Sequence, residues 1–299
     1  MHFYARAQAN KIKANLDPYP LHMLSKEPAG ETVFITTPDS TRLRAITAGS
    51  GPTVVLVHGY AVTVREWNIL FEQFLALGCR VIAFDLRGHG QSTIGSDGIT
   101  SAAMAGDIQV VLEHFDVRDA VLVGHSAGGF LSIRFMLDQP QNAQARLKGV
   151  VLMAALAGNV LEGAPQNRLQ IPLLKSGLLL SIARSDPYGW LFGASLAGQT
   201  PAPSMIRALL DMFVTTNHKA LLPMLQALGD EDYYPRLGEI KIPCVVVCGT
   251  LDQTTPRWHS ERLGKAIAGA RNMWLEGKGH IIHWEAPQAI VEAVQSLQR

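Results

Sequence analysis

The chain has 299 residues, of which 47% are hydrophobic and 17% are charged, a balance typical of a globular protein with a large buried core. Its 26 basic and 25 acidic residues leave a net charge of +1 without long runs of one sign, which argues against nucleic-acid binding. The longest apolar stretches fall short of a stable membrane span, and residues 1–20 lack the apolar segment of a secretory signal, so we predict neither feature.

Three cysteines occur in the chain: Cys79, Cys244 and Cys248. Cys244 and Cys248 lie four residues apart on one predicted strand, a separation of about 13 Å that is too long for a disulfide. No histidine stands beside them at the spacing of a metal site, so we expect both to be buried as small apolar residues. The low, odd number of cysteines favours a reducing compartment, and we predict a cytoplasmic protein.

The predicted strands and helices begin with a β-hairpin. Residues 31–36 and 42–47 are short and partly alternating, and the sequence Pro-Asp-Ser provides a turn between them. Apolar β-branched runs, typical of strands buried on both faces, then alternate with helical stretches. Strands are predicted at 53–58, 80–85, 120–125, 148–154, 243–249 and 272–277, and helices at 66–77, 100–115, 127–139, 258–268 and 287–297. This alternation indicates an α/β fold with a doubly wound, mostly parallel sheet.

The alternation stops between residues 158 and 235, where three apolar helical stretches and no strand are predicted. We expect such an insertion to cap the carboxyl edge of the sheet, where ligands bind in open α/β sheets. The predicted domains are therefore an α/β core at 30–157 and 236–299 and a helical cap at 158–235. Residues 1–29 are predicted to be an N-terminal extension that starts as a solvated tail.

The most informative residues are Gly124-His125-Ser126-Ala127-Gly128, which directly follow a predicted strand and precede a predicted helix. In this context Gly-x-Ser-x-Gly forms a nucleophile elbow, a turn so tight that side chains at the flanking positions would clash. The turn lifts the serine hydroxyl above the sheet, and it directs the Ala127 N–H and the helix dipole at a developing oxyanion. Ser126 is therefore the predicted nucleophile.

A serine nucleophile needs a base, and in this type of turn the acid and the base follow it at the carboxyl ends of later strands. Asp252 lies just beyond the predicted strand at 243–249, and His280 lies just beyond the strand at 272–277. The carboxyl ends of parallel strands share one edge of the sheet, so both side chains can reach the serine. We predict His280 as the base and Asp252 as the acid that orients it.

Nearby histidines and acids are weaker candidates. His283 follows the predicted base by three residues and is its main rival, but Gly279 favours a tight approach of residue 280 to the strand end. Asp230, Glu231 and Asp232 precede their strand and would lie at its wrong end. His280 and Asp252 therefore fit these roles best.

The loop after the third strand, His58-Gly59-Tyr60, should supply the second donor of an oxyanion hole. The predicted donors are the N–H groups of Tyr60 and Ala127. We expect His58 to hydrogen-bond to backbone and fix this loop, and Trp67 to pack beneath it.

Five features, in this order, resemble the α/β-hydrolase superfamily: His58-Gly59 with Trp67, FDLRGHGQS at 84–92, GHSAGG at 124–129, GTLDQTTP at 249–256 and GHIIHWEAP at 279–287. The resemblance spans about residues 30 to 297 and is greatest to the capped branch with esterases, cofactor-free haloperoxidases, epoxide hydrolases and carbon–carbon bond hydrolases. It implies a serine hydrolase that needs no metal or organic cofactor. It also implies mostly structural roles for Asp85, Arg87 and His89.

Departures from these relatives narrow the implied activity. Serine at the elbow, where epoxide hydrolases and haloalkane dehalogenases carry aspartate, argues against alkyl-enzyme chemistry. His125 stands where carbon–carbon bond hydrolases usually have asparagine, so the sequence favours that activity less. We favour hydrolysis of a small carboxylic ester through an acyl-enzyme, with an apolar acyl group because the cap is apolar. The same motifs also fit a cofactor-free haloperoxidase or perhydrolase and a non-catalytic ligand-binding homologue, and the oligomeric state is left open.

Overall fold

The computed structural model describes residues 2–162 and 164–299, and an eight-stranded sheet runs through its centre. The strands are β1 (Glu31–Thr36), β2 (Arg42–Ala48), β3 (Thr53–Val57), β4 (Arg80–Phe84), β5 (Ala120–His125), β6 (Leu147–Met153), β7 (Cys244–Gly249) and β8 (Arg271–Leu275). They lie in the order β1-β2-β4-β3-β5-β6-β7-β8, antiparallel at β1-β2 and β2-β4 and parallel elsewhere. This arrangement confirms the predicted hairpin and the predicted doubly wound, mostly parallel sheet.

The sheet reverses its winding direction at β3. The strand that follows it in the chain, β4, lies on one side of β3, and β5 lies on the other side. The carboxyl ends of β3 and β5 therefore open onto a crevice, the position at which ligands bind in doubly wound sheets. The loops that follow these two strands approach closely, because a Cβ built on Gly59 would lie 3.4 Å from Cβ of Ser126.

Helices cover both faces of the sheet. The α-helices of the described chain are α1 (His2–Lys13), α2 (Leu21–Ser25), α3 (Asn68–Ala76), α4 (Ser101–His114), α5 (Ala127–Asp138), α6 (Pro140–Arg146), α7 (Gln170–Lys175), α8 (Leu178–Arg184), α9 (Tyr188–Ala194), α10 (Pro203–Thr215), α11 (His218–Asp230), α12 (Arg257–Ala266), α13 (Ile282–Glu285) and α14 (Pro287–Gln298), with 3-10 turns at Val64–Trp67, Pro165–Leu169 and Tyr234–Glu239. Along β3, Val55 and Val57 belong to the core cluster with residues of α4, α5 and α12, whereas Val54 and Leu56 belong to the cluster with residues of α3 and α14. The strand is buried on both faces, which explains its continuous apolar run.

In the described residues, the chain between β6 and β7 contains helices α7 to α11, loops and one isolated bridge. The two ends of this insertion meet, because Gly158 forms that bridge with Asp232 and the Tyr233 N–H donates to the Ala157 carbonyl over 2.8 Å. Ala157 lies just beyond the carboxyl end of β6. The insertion therefore starts from the edge of the sheet at which Ser126 also lies.

The N-terminal extension forms two helices and is not the solvated tail that its sequence indicated. Ala5 and Ala9, one turn apart on α1, are buried, and α1 packs against α9 of the insertion. Small side chains at i and i+4 give this helix a flat face that can approach a neighbour closely. Further along, Asp17 accepts the Ser204 N–H at the start of α10 over 2.8 Å. The extension is thus fastened to the insertion by both packing and hydrogen bonds.

Two further sequence expectations concern the cysteines and the membrane. All three cysteines of the described chain are free and buried, as expected for Cys244 and Cys248. Burial raises the pKa of Cys244 to about 12 and that of Cys248 to about 11, so both thiols stay protonated at neutral pH. None of the described helices combines the length and the apolar character that crossing a bilayer requires.

Candidate active site

Ser126 lies on the sharp turn between the last residue of β5 and the first residue of α5. Its φ of 52° and ψ of −118° are strained for a residue that has a side chain. Two glycines make room for the turn. A Cβ on Gly128 would lie 2.2 Å from the Val57 carbonyl oxygen, and a Cβ on Gly124 would lie 2.8 Å from the Gly129 Cα. The tight turn leaves the serine hydroxyl at the carboxyl edge of the sheet.

Three side chains from separate loops form one hydrogen-bonded chain. Nε2 of His280 lies 3.0 Å from Oγ of Ser126, and Nδ1 of the same ring lies 2.8 Å from Oδ2 of Asp252. Because the carboxylate can only accept, the proton of the neutral ring is on Nδ1, and Nε2 faces the serine hydroxyl as an acceptor. An imidazole in this position can take a proton from the serine.

Asp252 is buried beneath the histidine and is fully hydrogen-bonded. Burial alone would raise its pKa, but the neighbouring His280 and hydrogen bonds from Thr255 hold that pKa below its ordinary value. The Thr255 hydroxyl lies 2.7 Å from Oδ2, and the N–H groups of Thr255 and Thr254 donate to Oδ1 over 3.0 and 2.8 Å. Thr255 was not among the predicted site residues. The sequence feature that could have identified Thr255 is a hydroxyl residue three positions after an aspartate, a spacing at which a turn can bring the hydroxyl to the carboxylate.

The loop that carries His280 is tied to the insertion. The His280 N–H donates to the Leu196 carbonyl over 2.8 Å. The Glu285 carboxylate accepts the N–H groups of Gly198 and Gly279, over 2.7 and 2.8 Å, and so links the insertion to the residue before the histidine. Glu285 was not predicted either, because its two partners lie 6 and 87 positions away in the chain. The inserted segment therefore helps to hold His280 in place.

His283, the rival for the base, makes no hydrogen bond to Ser126 in the described structure. Its ring packs among those of Trp67, His125 and Trp284, at centroid distances of 6.0, 4.8 and 4.6 Å. Neither ring nitrogen has a hydrogen-bond partner among the described residues. Burial lowers the pKa of His283 well below its ordinary value, so the ring is neutral.

The expectation that the rival acids lie at the wrong end of their strand is wrong, because Asp230 lines the same cavity as Ser126 and Asp232 pairs with Gly158 near the carboxyl edge of the sheet. Glu231 pairs instead with Arg134 at 2.9 Å.

The two N–H groups predicted as oxyanion donors lie beside the serine. Ala127 is the first residue of α5, so its N–H has no acceptor within the helix. The Tyr60 N–H makes no hydrogen bond in the described structure. Tyr60 and Ser126 line the same cavity. Both N–H groups are therefore free to bind a ligand oxygen.

His58 fixes the loop that contains Tyr60. Its Nδ1 donates to the Gly59 carbonyl over 2.7 Å, and its Nε2 accepts the Leu86 N–H over 2.9 Å. These opposite roles require a neutral ring, and burial lowers the pKa of His58 to about 4. The contacts confirm the structural role predicted for His58.

Residues of the FDLRGHGQS stretch also form hydrogen bonds and ion pairs that hold neighbouring loops. Asp85 accepts the N–H groups of Val64 and Gln91, each over 3.0 Å. Arg87 forms buried ion pairs with Asp107 at 2.7 Å and with Asp39 at 2.9 Å. His89 accepts the Ala61 N–H at Nε2 over 3.3 Å, next to the Tyr60 loop. These residues hold loops at the edge of the sheet, as the resemblance implied.

A cavity of about 610 Å³ opens above Ser126 and His280. This volume is in the range of pockets for small organic ligands. Most of its walls are apolar side chains of the insertion: Leu161, Ile171, Leu173, Leu179, Phe192, Leu209, Phe213 and Leu225. Polar groups are fewer and include Asn167, Gln170, Gln226 and Gln253. The nucleophile therefore faces a mostly apolar chamber under the inserted helices.

One group of buried side chains at this cavity has donor atoms close enough for a metal ion. Among the described residues, Glu66, His125 and His283 offer ligand atoms that all lie within 4.8 Å of one another. Glu66 and His125 are already paired, with 3.1 Å between Oε2 and Nδ1. This pair was not predicted from the sequence, because its members are 59 residues apart and share no local pattern.

Comparisons with known proteins bear on this arrangement. The chain matches a family model described as Alpha/beta hydrolase family over residues 54–293. It is similar to a non-heme chloroperoxidase of Burkholderia pyrrocinia, with 29% identity over 233 residues, which cover 75% of this chain and 83% of the relative. An esterase of Exiguobacterium antarcticum superposes with a TM-score of 0.78 at 23% identity, over 90% of this chain and 99% of that one. A bromoperoxidase of Bacillus anthracis superposes with a TM-score of 0.75 at 21% identity, over 89% and 99%. At these identities the two solved structures support the fold alone.

Proposed function

Because this chain belongs to the alpha/beta hydrolase family, we propose that it is a serine hydrolase that cleaves carboxylic esters through an acyl-enzyme. The observation that carries the proposal is the hydrogen-bonded chain from Asp252 through His280 to Ser126, at the base of an apolar cavity. An imidazole aligned between a carboxylate and a hydroxyl is the device that turns a serine into a nucleophile.

The first half-reaction transfers the acyl group to the enzyme. Nε2 of His280 removes the Ser126 proton while Oγ attacks the ester carbonyl carbon, and Asp252 stabilises the imidazolium that forms. The N–H groups of Tyr60 and Ala127 donate to the oxyanion of the tetrahedral intermediate. When the intermediate collapses, the imidazolium protonates the leaving oxygen, and the alcohol departs.

The second half-reaction releases the acid. A water molecule attacks the acyl carbonyl carbon while His280 takes one of its protons, and the same two N–H groups hold the second oxyanion. Collapse of this intermediate breaks the bond to Oγ, and His280 returns the proton to Ser126. Each step uses side chains, backbone N–H groups and water.

The cavity supports an ester with an apolar acyl group. Its walls are largely leucine, isoleucine and phenylalanine side chains from the insertion, whose burial against a hydrocarbon chain would favour binding. Phe192 and Phe213 pack against each other in this wall, with 5.1 Å between ring centroids. The inserted helices are therefore the part of the protein that we expect to select acyl groups.

Labelling with a fluorophosphonate tests the nucleophile directly, and the matched control is Ser126→Ala. We expect one probe per wild-type chain, on the peptide that contains Ser126, and none on the variant. Alanine fits the tight turn, so the variant should keep the wild-type circular dichroism spectrum. On nitrophenyl esters of graded acyl length, it should lose at least about a thousandfold in kcat.

Two results of this experiment would count against the proposal. A folded wild-type protein that takes up no probe would contradict a serine nucleophile. Labelling followed by a single ester turnover without further product release would instead favour a non-catalytic ligand-binding protein, which fold alone does not separate from an enzyme.

Perhydrolysis is a second candidate activity, favoured by the similarity to a non-heme chloroperoxidase. In this reaction hydrogen peroxide takes the place of water in the second half-reaction, and the product is a peracid. Formation of peracid from a short-chain ester and peroxide, measured beside hydrolysis of the same ester, distinguishes the two activities. Ser126→Ala should abolish both, because they share the acyl-enzyme.

A further inference from the structure

Next to the nucleophile lies a buried pair of side chains that the proposed reaction steps do not use. The side chains of Glu66 and His125 are 0% and 5% exposed, and Oε2 of Glu66 lies 3.1 Å from Nδ1 of His125. On the opposite side of the ring, Nε2 of His125 lies 3.1 Å from the carbonyl oxygen of His280. The His125 ring is therefore enclosed between a carboxylate and a peptide carbonyl.

Both atoms that face this ring are acceptors. A carbonyl oxygen has no proton to donate, and neither has an ionised carboxylate. A neutral imidazole has one N–H and could satisfy only one of these contacts, whereas an imidazolium has two and satisfies both. The Glu66 carboxylate also supplies the opposite charge that a buried cation requires.

We propose that Glu66 holds His125 as an imidazolium, and that this buried ion pair positions the three loops that meet at Ser126. The positioning role rests on the proposed serine-hydrolase function, whereas the protonation state of His125 can be measured without it. Neither residue touches the reacting atoms in the proposed steps, so both are positioning residues.

The contacts of the pair reach each of the three loops. His125 directly precedes Ser126 in the chain, and its Nε2 binds the backbone of His280. The second oxygen of Glu66, Oε1, accepts the Gly59 N–H over 3.2 Å, one residue before Tyr60. One ion pair thus fixes the residue before the nucleophile, the backbone of the base and the loop with the predicted oxyanion donor.

The electrostatic surroundings favour a charged His125. Burial by itself would lower its pKa, but the charge and hydrogen bond of Glu66, the His280 carbonyl and the more distant Asp252 together raise that pKa above its ordinary value. Two more histidine rings face His125, those of His280 and His283, at centroid distances of 5.0 and 4.8 Å. Burial lowers the pKa of His283, and proximity to His125 lowers it further.

The same three residues, Glu66, His125 and His283, could instead hold a divalent metal ion. A metal ligand must be deprotonated, so His125 would have to give up a proton and one of its two present contacts. The existing hydrogen bonds therefore favour the ion pair, and metal binding becomes an outcome of the test.

The protonation state can be read by NMR on wild-type protein labelled with ¹⁵N-histidine, treated with a chelator and titrated from pH 6 to 9. His125→Gln identifies the signals of this ring, and His125→Asn serves the same purpose should the glutamine variant fail to fold. We expect two protonated nitrogens on His125 at pH 7. A single neutral tautomer at pH 7, or a shift of the His125 and His283 signals on adding equimolar Zn²⁺, would overturn the proposal.

Glu66→Gln tests the charge of the pair with little change of shape. The amide oxygen can still accept the Gly59 N–H, but the counter-ion is gone, so His125 should become neutral at pH 7 in the same NMR experiment. We expect kcat to fall by about tenfold or more, the effect of losing one charge-assisted hydrogen bond, with KM changed by less than about threefold. An unchanged kcat, with His125 neutral in the variant, would show that the pair has no positioning role.

The pH profile separates this role from a purely structural one. If an imidazolium is needed, activity should fall at alkaline pH as His125 loses its proton, and this limb should move to lower pH in Glu66→Gln. Identical alkaline limbs would contradict the proposal. Failure of the wild-type protein to react with a fluorophosphonate would refute the serine-hydrolase function instead, and would leave the NMR result standing.

Discussion

The Tyr60 hydroxyl donates a hydrogen bond to Nδ1 of His218 over 2.8 Å, and this contact joins the loop beside Ser126 to the inserted helices. The direction of the bond is fixed, because Nε2 of His218 donates to the Phe213 carbonyl over 2.7 Å and a neutral ring has one N–H. Burial lowers the pKa of His218, which favours that neutral ring. We therefore expect the insertion and the Tyr60 loop to be energetically coupled.

Tyr60→Phe should weaken this coupling while it leaves the Tyr60 backbone N–H in place. Nδ1 of His218 loses its donor while the residue stays buried, so the free energy of unfolding in urea should fall by about 1–3 kcal/mol. KM for a long-chain ester should rise, and by a larger factor than the factor by which kcat on an acetate ester falls. Tyr4→Phe is the matched control, because Tyr4 is 71% exposed. Equal stability of the two variants would show that the Tyr60 contact carries no coupling.

The two neighbouring histidines should respond differently to substitution. His280→Ala removes the group that lies 3.0 Å from Ser126 Oγ, so kcat should fall by at least about a thousandfold. Added imidazole should restore part of that activity by occupying the vacated space. His283→Ala should keep kcat within about tenfold and should mainly lower the melting temperature, because a buried ring is lost. If His283→Ala is the inactive variant, the assignment of the base is wrong.

Filling the cavity should change the acyl preference. Leu173→Trp adds bulk to the wall of the cavity, so kcat/KM for a decanoate ester should fall at least about tenfold more than for an acetate ester. Leu178→Trp is the matched control, since Leu178 belongs to the same insertion but is 51% exposed and does not line the cavity. An equal loss of kcat/KM on both esters in Leu173→Trp would mean that the acyl chain does not lie against this wall.

The buried, neutral His58 should make stability depend on pH. Its pKa is about 4 in the folded chain against an ordinary value of 6.5, so below pH 6.5 the unfolded chain binds a proton that the folded chain does not. Stability is therefore full above pH 6.5 and falls as the pH decreases towards 4, by roughly 3 kcal/mol from this group. In urea unfolding between pH 4 and 7, the free energy of unfolding should change less with pH in His58→Gln than in the wild-type protein. An equal pH dependence of the two proteins would contradict the prediction.

Local sequence patterns were sufficient for the frame of this protein. The alternation of apolar runs and helical stretches predicted the order of strands and helices, because each element buries its own side chains at a regular spacing. The elbow at Ser126 could be predicted because its glycines stand at fixed positions around the serine. At these positions nearby backbone atoms, such as the Val57 carbonyl oxygen, leave no room for a side chain. Asp252 and His280 followed from a rule of topology, because the ends of parallel strands meet at one edge.

The contacts between distant loops were decided by the tertiary structure. Glu66 and His125 are 59 residues apart, and Tyr60 and His218 are 158 residues apart. No periodicity links such positions, and glutamate, histidine and tyrosine are not among the residue types most often found fully buried. The packing of α1 on α9 was missed for the same reason, since Ala5 and Ala9 have little apolar surface of their own. A helix face or a strand end is specified by neighbours in the chain, whereas a buried polar pair becomes stable only when folding removes water from both partners at once.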